Sequence, residues 1–259
     1  MDFLTEMFRL DGQVAAVIGG GGVLGSAMAR ALAGAGAGVA ILGRSLDKCG
    51  RTVAAIVEHG GKALPVAVDA SSRDMLMQAE AKIRAELGTV TILVNAAGIN
   101  SSTPFFNITE EEWENILRVN LKGMFLACQV FAAQMLEQGV KGSIINVTSA
   151  SSGPPLSKVF TYSISKAGVN NLTQFLAREW ALKGIRVNAI APGFFPAEQN
   201  RKILTPERVA DIMRHTPMNR FGEADELMGT VVWLASEKAS SFVTGSIIRV
   251  DGGFTAMTI

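Results

Sequence analysis

The feature that most limits the fold is a short apolar run followed by glycines near the start of the chain. Residues 14–18 read Val-Ala-Ala-Val-Ile, the pattern of a strand buried on both faces, and Gly19 to Gly22 follow directly. A helical pattern then runs from Ser26 to Ala35. A strand, a glycine-rich turn and a helix in this order bind phosphate groups, because glycine permits close backbone approach and the helix N-terminus supplies N–H donors. The segment predicts the first unit of a dinucleotide-binding fold.

The alternation of strands and helices continues along the chain. Apolar runs predict further strands at residues 39–42, 63–68, 90–94, 143–147, 186–190 and 246–250. Helical patterns occur from residue 46, over 72–87, from 109, over 162–180 and over 223–235. Such alternation implies a parallel sheet with right-handed crossovers. We therefore expect an α/β fold, a doubly wound parallel sheet of about seven strands with helices on both faces.

One segment departs from this regular pattern. Pro196, Pro206 and Pro217 interrupt the sequence between residues 194 and 220, which predicts a substrate lid instead of another core layer. The chain otherwise has no domain boundary, repeat or low-complexity tract. We therefore expect residues 1–259 to form a single dinucleotide-binding and catalytic domain.

A long helix is expected after the fourth strand. Thr109 and Glu112 have the spacing of a capping box at its start. Asn120 lies inside this helix, where asparagine needs a hydrogen-bond partner. The apolar residues expected to face the core are Trp113, Ile116, Leu117 and Phe125.

Charge and cysteine content exclude several classes of protein. The 259 residues carry a net charge of +1 and contain no dense basic run, which argues against nucleic-acid binding. The two cysteines, Cys49 and Cys128, stand alone, so we expect neither a disulfide framework nor a cysteine-rich metal site. The two histidines, His59 and His215, have no metal-ligand neighbours in sequence, and no metal is expected.

The beginning of the chain lacks the pattern of a secretory signal or a membrane anchor. Asp2 and Glu6 are wrong for the basic start of a signal sequence. The uncharged stretch 13–29 is short and contains five glycines, which makes it a poor membrane span. We expect a cytoplasmic protein with no membrane partner.

The single tyrosine provides the main candidate for acid–base chemistry. Tyr162 stands four residues before Lys166 in a helical run, so the two side chains share one helix face. An ammonium within roughly 4–6 Å of a phenol stabilises the phenolate and lowers its pKa from about 10. Tyr162 is therefore a candidate proton donor and acceptor. Ser149 follows the fifth strand, where the ends of parallel strands line the ligand crevice.

Arg44 indicates which dinucleotide the chain prefers. In dinucleotide folds an acid after the second strand binds the ribose 2′-hydroxyl, whereas an arginine accommodates a 2′-phosphate. Arg44 stands at this point with no acid beside it, and Ser45 is placed to cap the next helix. NADP(H) is therefore favoured over NAD(H), although a solvated Arg44 would leave this open.

These elements together resemble the short-chain dehydrogenase/reductase family over nearly the whole chain. The resemblance rests on the glycine loop 19–25, Asp69, the 95–98 turn, Asn120, Ser149, the Tyr162 and Lys166 pair, Pro192 with Gly193, and the closing run 250–253. It implies that the catalytic residues are Asn120, Ser149, Tyr162 and Lys166. It implies that the cofactor is bound by Gly19, Gly21, Gly22, Val23, Leu24, Gly25, Arg44, Ser45, Asp69, Ala70, Asn95, Ala96, Gly98, Tyr162, Lys166, Pro192, Gly193 and Phe195.

The resemblance also assigns roles to the four catalytic positions. Tyr162 would be the general acid and base, and Lys166 would lower its pKa and hold the nicotinamide ribose. Ser149 would hydrogen-bond the substrate oxygen, and Asn120 would kink its helix and hold a water that links Lys166 to solvent. An alcohol and a ketone would then interconvert without a metal.

Three positions depart from the family pattern. Ile18 replaces a threonine whose hydroxyl tethers the glycine loop, Val23 replaces a glycine, and Ala197 replaces a threonine that binds the carboxamide. These changes bear on cofactor affinity more than on the chemistry.

Two stretches are similar to the short-chain type of D-mannonate oxidoreductase (fructuronate reductase), namely residues 155–158 and 192–201. The similarity implies a sugar-acid substrate, whose hydroxyls would need polar groups and whose carboxylate would need a cation. Besides Ser149 and Tyr162, the substrate residues would be Lys158, Gln199, Asn200 and Arg201, with either Arg201 or Lys158 as the cation.

Two other functions are compatible with the same residues. A 3-oxoacyl thioester reductase would use an apolar channel, for which Phe194, Phe195 and Met218 are available. A regulator that senses NADP(H) without turnover would have lost part of the catalytic set, which is complete here. Family resemblance and the apolar C-terminus, Phe254 to Ile259, imply a homotetramer.

Overall fold

The computed structural model describes residues 2–196 and 204–257, and these residues build one parallel sheet with helices on both faces. The sheet contains seven strands in the order β3-β2-β1-β4-β5-β6-β7. The strands are β1 (Val14–Ile18), β2 (Gly38–Gly43), β3 (Ala63–Ala67), β4 (Ile92–Asn95), β5 (Gly142–Val147), β6 (Ile185–Pro192) and β7 (Ile247–Val250). The predicted architecture is confirmed.

The strand order reverses at β1, and this reversal creates the site. Val17 of β1 is paired with Ile41 of β2 on one side and with Val94 of β4 on the other. The chain therefore leaves β1 in one direction for β2 and β3, and crosses to the opposite side for β4 to β7. A crevice forms beyond the carboxyl ends of the strands at such a switch point.

The two faces of the sheet are covered by different helices. The helices are α1 (Phe3–Phe8), α2 (Val23–Gly34), α3 (Leu46–Glu58), α4 (Arg73–Glu86), α5 (Glu110–Leu117), α6 (Gly123–Glu137), α7 (Phe160–Trp180), α8 (Pro206–His215), α9 (Met228–Ala235) and α10 (Glu237–Ser240). Met28 of α2, Ile56 of α3 and Leu234 of α9 pack on one face. Leu76 of α4 and Phe131 of α6 pack on the other. Apolar strands buried on both faces explain the continuous apolar runs in the sequence.

Several element ends differ from the sequence prediction for local reasons. Helix α2 begins at Val23 instead of Ser26, because Gly22 takes the N-cap position. Strand β4 begins at Ile92 instead of Val90, and the Val14 N–H bonds the Thr91 hydroxyl at 3.3 Å. Strand β6 continues to Pro192. The predicted helix 223–235 is a 3₁₀ turn, Ala224–Leu227, followed by α9.

The capping box predicted for α5 is only half formed. Thr109 accepts from the Glu112 N–H at 3.1 Å, as expected for the N-cap. The Glu112 carboxylate instead accepts from the hydroxyls of Ser101 and Thr103, each at 2.6 Å. The glutamate therefore holds the loop that follows β4 instead of closing the helix end.

The helix after this loop is divided by a π turn, Arg118–Lys122, between α5 and α6. By length and composition, the stretch Glu110–Glu137 could cross a membrane, but half of its most apolar window is buried inside the fold. Phe131 and Met135 of this stretch are fully buried against the sheet. We therefore interpret it as a core helix.

The prediction that Phe125 faces the core is wrong. Its side chain is 40% exposed, while Ile116 on the same helical stretch is buried. Trp113, Leu117, Phe125 and Leu172 instead line a surface groove of about 610 Å³ on α5, α6 and α7. The apolar residues of this groove are therefore not fully buried in the core of this chain.

Candidate active site

Two positions of the glycine loop after β1 accept only glycine. Gly19 has φ +81°, and a Cβ added there would lie 2.6 Å from the Ala97 nitrogen. A Cβ added at Gly25 would lie 2.2 Å from the Gly19 carbonyl oxygen. These contacts are far below normal van der Waals separation, so the loop requires glycine at both positions. The loop is thereby packed directly against the turn that follows β4.

The glycine loop is joined to the turn after β4 by the main chain, although Ile18 has no hydroxyl to make this connection. The Ala96 N–H donates to the Ile18 carbonyl at 2.8 Å, so the main chain supplies the connection. Val23 and Leu24 lie in the first turn of α2, which contains no acidic residue. The N–H groups and positive dipole end of α2 are thus suited to a pyrophosphate.

The Asn95 side chain lies beneath the crevice and does not enter it. The residue is 1% exposed, and its Nδ2 donates to Asn146 Oδ1 at 2.9 Å. Asn146 in turn donates to the Thr173 hydroxyl at 2.9 Å. This buried chain of hydrogen bonds joins β4, β5 and α7. Asn95 therefore supports the crevice from below, and its contact with the cofactor stays a prediction.

Basic residues surround the end of β2. Ser45 caps α3 by accepting from the Lys48 N–H at 3.4 Å. Lys48 is packed against the glycine loop, since a Cβ at Gly21 would lie 2.9 Å from the Lys48 Cβ. The sequence indicated only Arg44 as a basic residue at this place, because the contact between α3 and the glycine loop joins residues that are far apart along the chain.

Asp69 and Ala70 form the rim beyond β3. Asp69 Oδ1 accepts from the Ser71 N–H at 2.9 Å and from its hydroxyl at 2.8 Å. These bonds lower the pKa of Asp69, with smaller contributions from the charges of Arg118 and Arg44. Ala70 packs against α6, where a Cβ at Gly123 would lie 3.5 Å from its carbonyl. An ionised carboxylate at this edge can accept hydrogen bonds from an adenine amino group.

Tyr162 and Ser149 line one cavity of about 90 Å³ at the carboxyl end of the sheet. Ser149 follows β5 and also accepts from the N–H and hydroxyl of Ser151, at 3.1 and 3.0 Å. Burial raises the pKa of Tyr162, and a hydrogen bond with Ser149 opposes this in part. The phenol is therefore protonated near neutral pH and is directed to the serine hydroxyl.

Lys166 lies behind the tyrosine ring. Its ammonium is 5.6 Å from the centroid of the Tyr162 ring and donates to the Val147 carbonyl at 2.8 Å. The side chain is 3% exposed, and burial lowers the pKa of Lys166 to about 8. The shared helix face is confirmed. The expected lowering of the pKa of Tyr162 by Lys166 is wrong for this structure, because burial raises that pKa and only the hydrogen bond with Ser149 opposes the rise.

Asn120 is placed by the π turn and holds the loop after β4. Its Oδ1 accepts from the Ile99 N–H at 2.8 Å, and its Nδ2 donates to the Ile99 carbonyl at 2.9 Å. Nδ2 also donates to the Ser165 hydroxyl at 3.0 Å. A Cβ at Gly98 would lie 3.5 Å from both Asn120 Oδ1 and Lys166 Nζ. The structure thus brings Gly98, Asn120 and Lys166 together, while the water expected between Asn120 and Lys166 stays a prediction.

The end of β6 is fixed by the closing run of the chain. The Gly193 N–H donates to the Val250 carbonyl at 2.9 Å, and a Cβ at Gly193 would lie 2.7 Å from the Asp251 Cα. Phe195 is 6% exposed and packs under Gly222. Gly193 and Phe195 both line the cavity that contains Tyr162.

Of the predicted substrate residues that the structure describes, Ser149 and Tyr162 line the cavity, and Lys158 does not. Lys158 is exposed, has φ +67° and is absent from the cavity lining. Its charge helps to lower the pKa of Glu207, after the hydrogen bonds of Glu207 and Thr205. Lys158 therefore lies at the surface of the protein and does not line the cavity. Gln199, Asn200 and Arg201, and the departure Ala197, lie outside the described residues.

The cavity has further walls that sequence reasoning did not assign to it. Arg208 comes from the first turn of α8, and Asn100 comes from the loop after β4. Asn100 could have been found, because it directly follows the glycine of a strand-end turn. Arg208 gave no such signal, since it belongs to a helix of the loosely patterned segment. The other described lining residues are Ala150, Leu156, Val159, Phe194, Leu204 and Phe221.

The comparison with protein families decides where this chain belongs. The family model described as enoyl-(acyl carrier protein) reductase matches residues 22–255. The chain belongs to the short-chain dehydrogenase/reductase family. It is an NAD(P)-dependent oxidoreductase of the CH–OH type.

Two curated relatives match almost the whole chain. It is 41% identical to the uncharacterized oxidoreductase UxuB of Bacillus subtilis, over 96% of each chain. It is 38% identical to the 2-dehydro-3-deoxy-D-gluconate 5-dehydrogenase of the same species, over 98% of this chain and 99% of the relative.

Solved structures agree with this placement. A gluconate 5-dehydrogenase from Burkholderia cenocepacia, in complex with NADP and tartrate, has a TM-score of 0.93 at 34% identity, with 98% and 100% of the two chains covered. A protein from Haemophilus influenzae described as a D-mannonate oxidoreductase, with bound NAD, has a TM-score of 0.91 at 33% identity, with 99% of each chain covered. A nicotinamide dinucleotide is thus the cofactor type of this family.

Proposed function

We propose that this chain interconverts a secondary alcohol and a ketone on a sugar acid. The observation that carries the proposal is that Tyr162 and Ser149 line one cavity, with the Lys166 ammonium 5.6 Å behind the tyrosine ring. Relatives named for gluconate, 2-dehydro-3-deoxy-D-gluconate and D-mannonate support the substrate class. D-mannonate and D-fructuronate are the first pair to test.

The residues around the crevice fit a nicotinamide dinucleotide. The glycine loop and the first turn of α2 offer N–H donors to a pyrophosphate, and Asp69 stands at the adenine end. Lys166 has three donors, of which the Val147 carbonyl takes one, so the others can hold ribose hydroxyls. A bound nicotinamide would supply or accept the hydride at the substrate carbon.

The proton is handled by side chains of this chain. Ser149 hydrogen-bonds the substrate oxygen and orients it toward the tyrosine hydroxyl. Tyr162 donates a proton to that oxygen during reduction and accepts it during oxidation. Because burial keeps the phenol protonated near neutral pH, the resting tyrosine is ready for ketone reduction. Among the described residues no group of three metal-binding side chains is found, and this mechanism requires none.

Two basic residues support a preference for NADP(H) over NAD(H). Arg44 directly follows β2 and is close enough to Asp69 for its charge to lower the pKa of that carboxylate. Lys48 lies against Gly21 on the same side of the crevice. With the Ser45 hydroxyl, these groups can surround a ribose 2′-phosphate.

A 3-oxoacyl thioester reductase is the second candidate function. Leu156, Val159, Phe194 and Phe221 give the cavity apolar walls, and the matching family model is described by an acyl carrier protein reductase. Met218, which was considered for such a channel, is 64% exposed and is not among the lining residues. A sensor of NADP(H) without turnover would have no need for the complete catalytic set.

One assay separates these functions. The purified protein is mixed with NADPH or NADH and a panel of keto-sugar acids, uncharged ketones and 3-oxoacyl thioesters, and absorbance at the nicotinamide band is followed. The proposal predicts the highest kcat/KM for a keto-sugar acid with NADPH. Preference for a thioester would favour the second candidate, and binding without any turnover would favour the sensor.

We also propose that residues 194–220 cover the substrate, within one domain that spans residues 1–259. Phe194 and Arg208 of this segment line the cavity opposite the catalytic hydroxyls. Burial of the substrate under such a segment would exclude water during the reaction.

The surface groove on α5, α6 and α7 supports a homotetramer. Trp113, Leu117 and Phe125 leave apolar area on one face, and β7 ends the sheet with a strand that is only partly buried. A second copy covering both surfaces would remove them from water. Light scattering of the purified protein measures the assembly.

We propose that the protein is located in the cytoplasm. Cys49 and Cys128 are both free and buried in the structure. Burial raises the pKa of Cys128 to about 12, which leaves its thiol unreactive. Neither cysteine contributes a disulfide that would require an oxidising compartment.

A further inference from the structure

We propose that Arg208 binds the carboxylate of the substrate. The inference rests on the proposed reaction and names the group that would select an acid for it. Arg208 is the one cationic side chain among the described residues that line the cavity, and Tyr162 and Ser149 line the same cavity. The other described walls are mainly apolar, so an anion entering this space would find its main electrostatic partner in Arg208.

The guanidinium is held in place by Ser157, in the loop before α7. Arg208 Nη2 donates to the Ser157 carbonyl at 3.0 Å, and Nη1 donates to the Ser157 hydroxyl at 3.3 Å. Thr205 caps the helix and accepts from the Arg208 N–H at 3.3 Å, which fixes the first turn of α8. A group fixed in this way loses little conformational entropy when a ligand binds.

The guanidinium retains donors for a ligand. An arginine side chain has five N–H donors, and the two bonds to Ser157 use two of them. The remaining donors can bind two oxygens of one carboxylate. Among the described residues no carboxylate forms an ion pair with Arg208, although many surface arginines of this chain have one, for example Arg214 with Asp211.

Lys158, one of the two cations expected from the sequence, does not occupy this position. It lies next to Ser157 in the sequence, is exposed, and is not among the residues that line the cavity. Its charge contributes to lowering the pKa of Glu207, the exposed residue before Arg208 on α8. Arg208 itself lines the cavity. The carboxylate subsite therefore belongs to the helix and not to the loop before α7.

The test compares an acid with its own neutral form. Steady-state rates with NADPH are measured for a keto-sugar acid such as D-fructuronate and for its methyl ester, which has the same ketone without the charge. Arg208→Ala should raise KM for the acid by about 10- to 100-fold, the range for a lost hydrogen bond to a charged group, and leave KM for the ester unchanged. Arg208→Lys should retain part of the effect because it keeps the charge but loses the bidentate geometry.

Arg214→Ala is the matched control, since Arg214 is on the same helix, is paired with Asp211 and is absent from the cavity lining. It should behave as the wild type with both substrates. If Arg208→Ala changed acid and ester equally, Arg208 would be a clamp for the Ser157 loop, and the inference would be overturned. An unchanged KM for the acid would overturn it as well.

The proposed function can fail separately. If the wild type reduces another carboxylate-bearing ketone and no sugar acid, and Arg208→Ala raises KM for that substrate, the sugar-acid proposal is wrong while the role of Arg208 stands. If the wild type reduces sugar acids without regard to Arg208, only the carboxylate subsite is wrong. If the wild type accepts only uncharged ketones, both are wrong.

Discussion

The cofactor half and the substrate half of the crevice are built from different parts of the chain. The cofactor half uses strand ends, glycines and main-chain donors, such as the loop from Gly19 to Gly25 packed on Ala97. The substrate half uses side chains from a loop and from α8, where Arg208 lines the cavity and is bonded to Ser157 of the loop before α7. Main-chain geometry leaves little freedom in the first half, whereas side chains can be exchanged in the second. One family can therefore keep a cofactor and vary its substrate.

The largest expected effect concerns the boundary between the two halves. Tyr162→Phe removes the hydroxyl that moves the proton and leaves the ring over Lys166. Turnover should fall by about 1,000-fold, within the range for loss of a general acid–base group. NADPH affinity, measured by fluorescence titration, should stay within about threefold, because the glycine loop and α2 are untouched. Normal turnover in this variant would remove the assigned chemistry.

The pH dependence of stability probes the residue that joins the halves. Burial lowers the pKa of Lys166 to about 8, below the ordinary value of 10.5. Between these values the unfolded chain binds a proton that the folded chain does not, so stability rises with pH. The loss of stability caused by burying the charged Lys166 is constant below pH 8. It decreases by up to about 3 kcal/mol as the pH rises to 10.5.

The measurement is the difference in unfolding free energy between the wild type and Lys166→Met, from urea titrations at pH 7 to 10. Tyr162, whose pKa is also shifted by burial, is present in both proteins, so its own titration cancels in this difference. The free energy of unfolding of the wild type should increase relative to that of the variant as the pH rises from 8 to 10. A flat difference over this range would mean that the ammonium is better solvated than its burial implies.

A pair of glycines tests whether the cofactor half depends on its backbone. Gly25→Ala places a Cβ 2.2 Å from the Gly19 carbonyl oxygen, and the loop must shift to accommodate it. We expect a loss of about 2–3 kcal/mol in unfolding free energy, together with weaker NADPH binding. Gly34→Ala, in the same helix with nothing within 4 Å of the new Cβ, should be neutral or stabilising by up to about 1 kcal/mol. Equal effects in both variants would contradict the packing argument.

The same contrast explains what the sequence could predict. The run Val14–Ile18 was predicted with its observed ends, because a strand buried on both faces must be continuously apolar. The pairing of Tyr162 with Lys166 followed from helical spacing alone. Contacts between distant elements were missed, including Lys48 against Gly21 and Arg208 against Ser157. No local pattern encodes these contacts, since they depend on how α3 and α8 pack.

Packing also decided the two clearest errors. Phe125 was expected in the core on helical spacing, but its side chain lies at the surface groove, on the face that it shares with Trp113 and Leu117. Lys158 was expected in the substrate site on charge, but its positive φ and the proximity of Glu207 direct it outward. Spacing and charge thus predict a residue's type of role more reliably than the direction of its side chain.

The smallest effect concerns the one part of the cofactor half that relies on side chains. Arg44→Ala removes a cation from the end of β2 and leaves the main-chain phosphate site intact. NADPH should bind about 10- to 100-fold more weakly, the cost of losing a hydrogen bond to a charged phosphate, while NADH binding should barely change. Dissociation constants for both dinucleotides, from titration calorimetry, give the ratio directly. If both lost affinity equally, Arg44 would act on the adenosine that they share, and the preference for NADP(H) would have to come from Lys48.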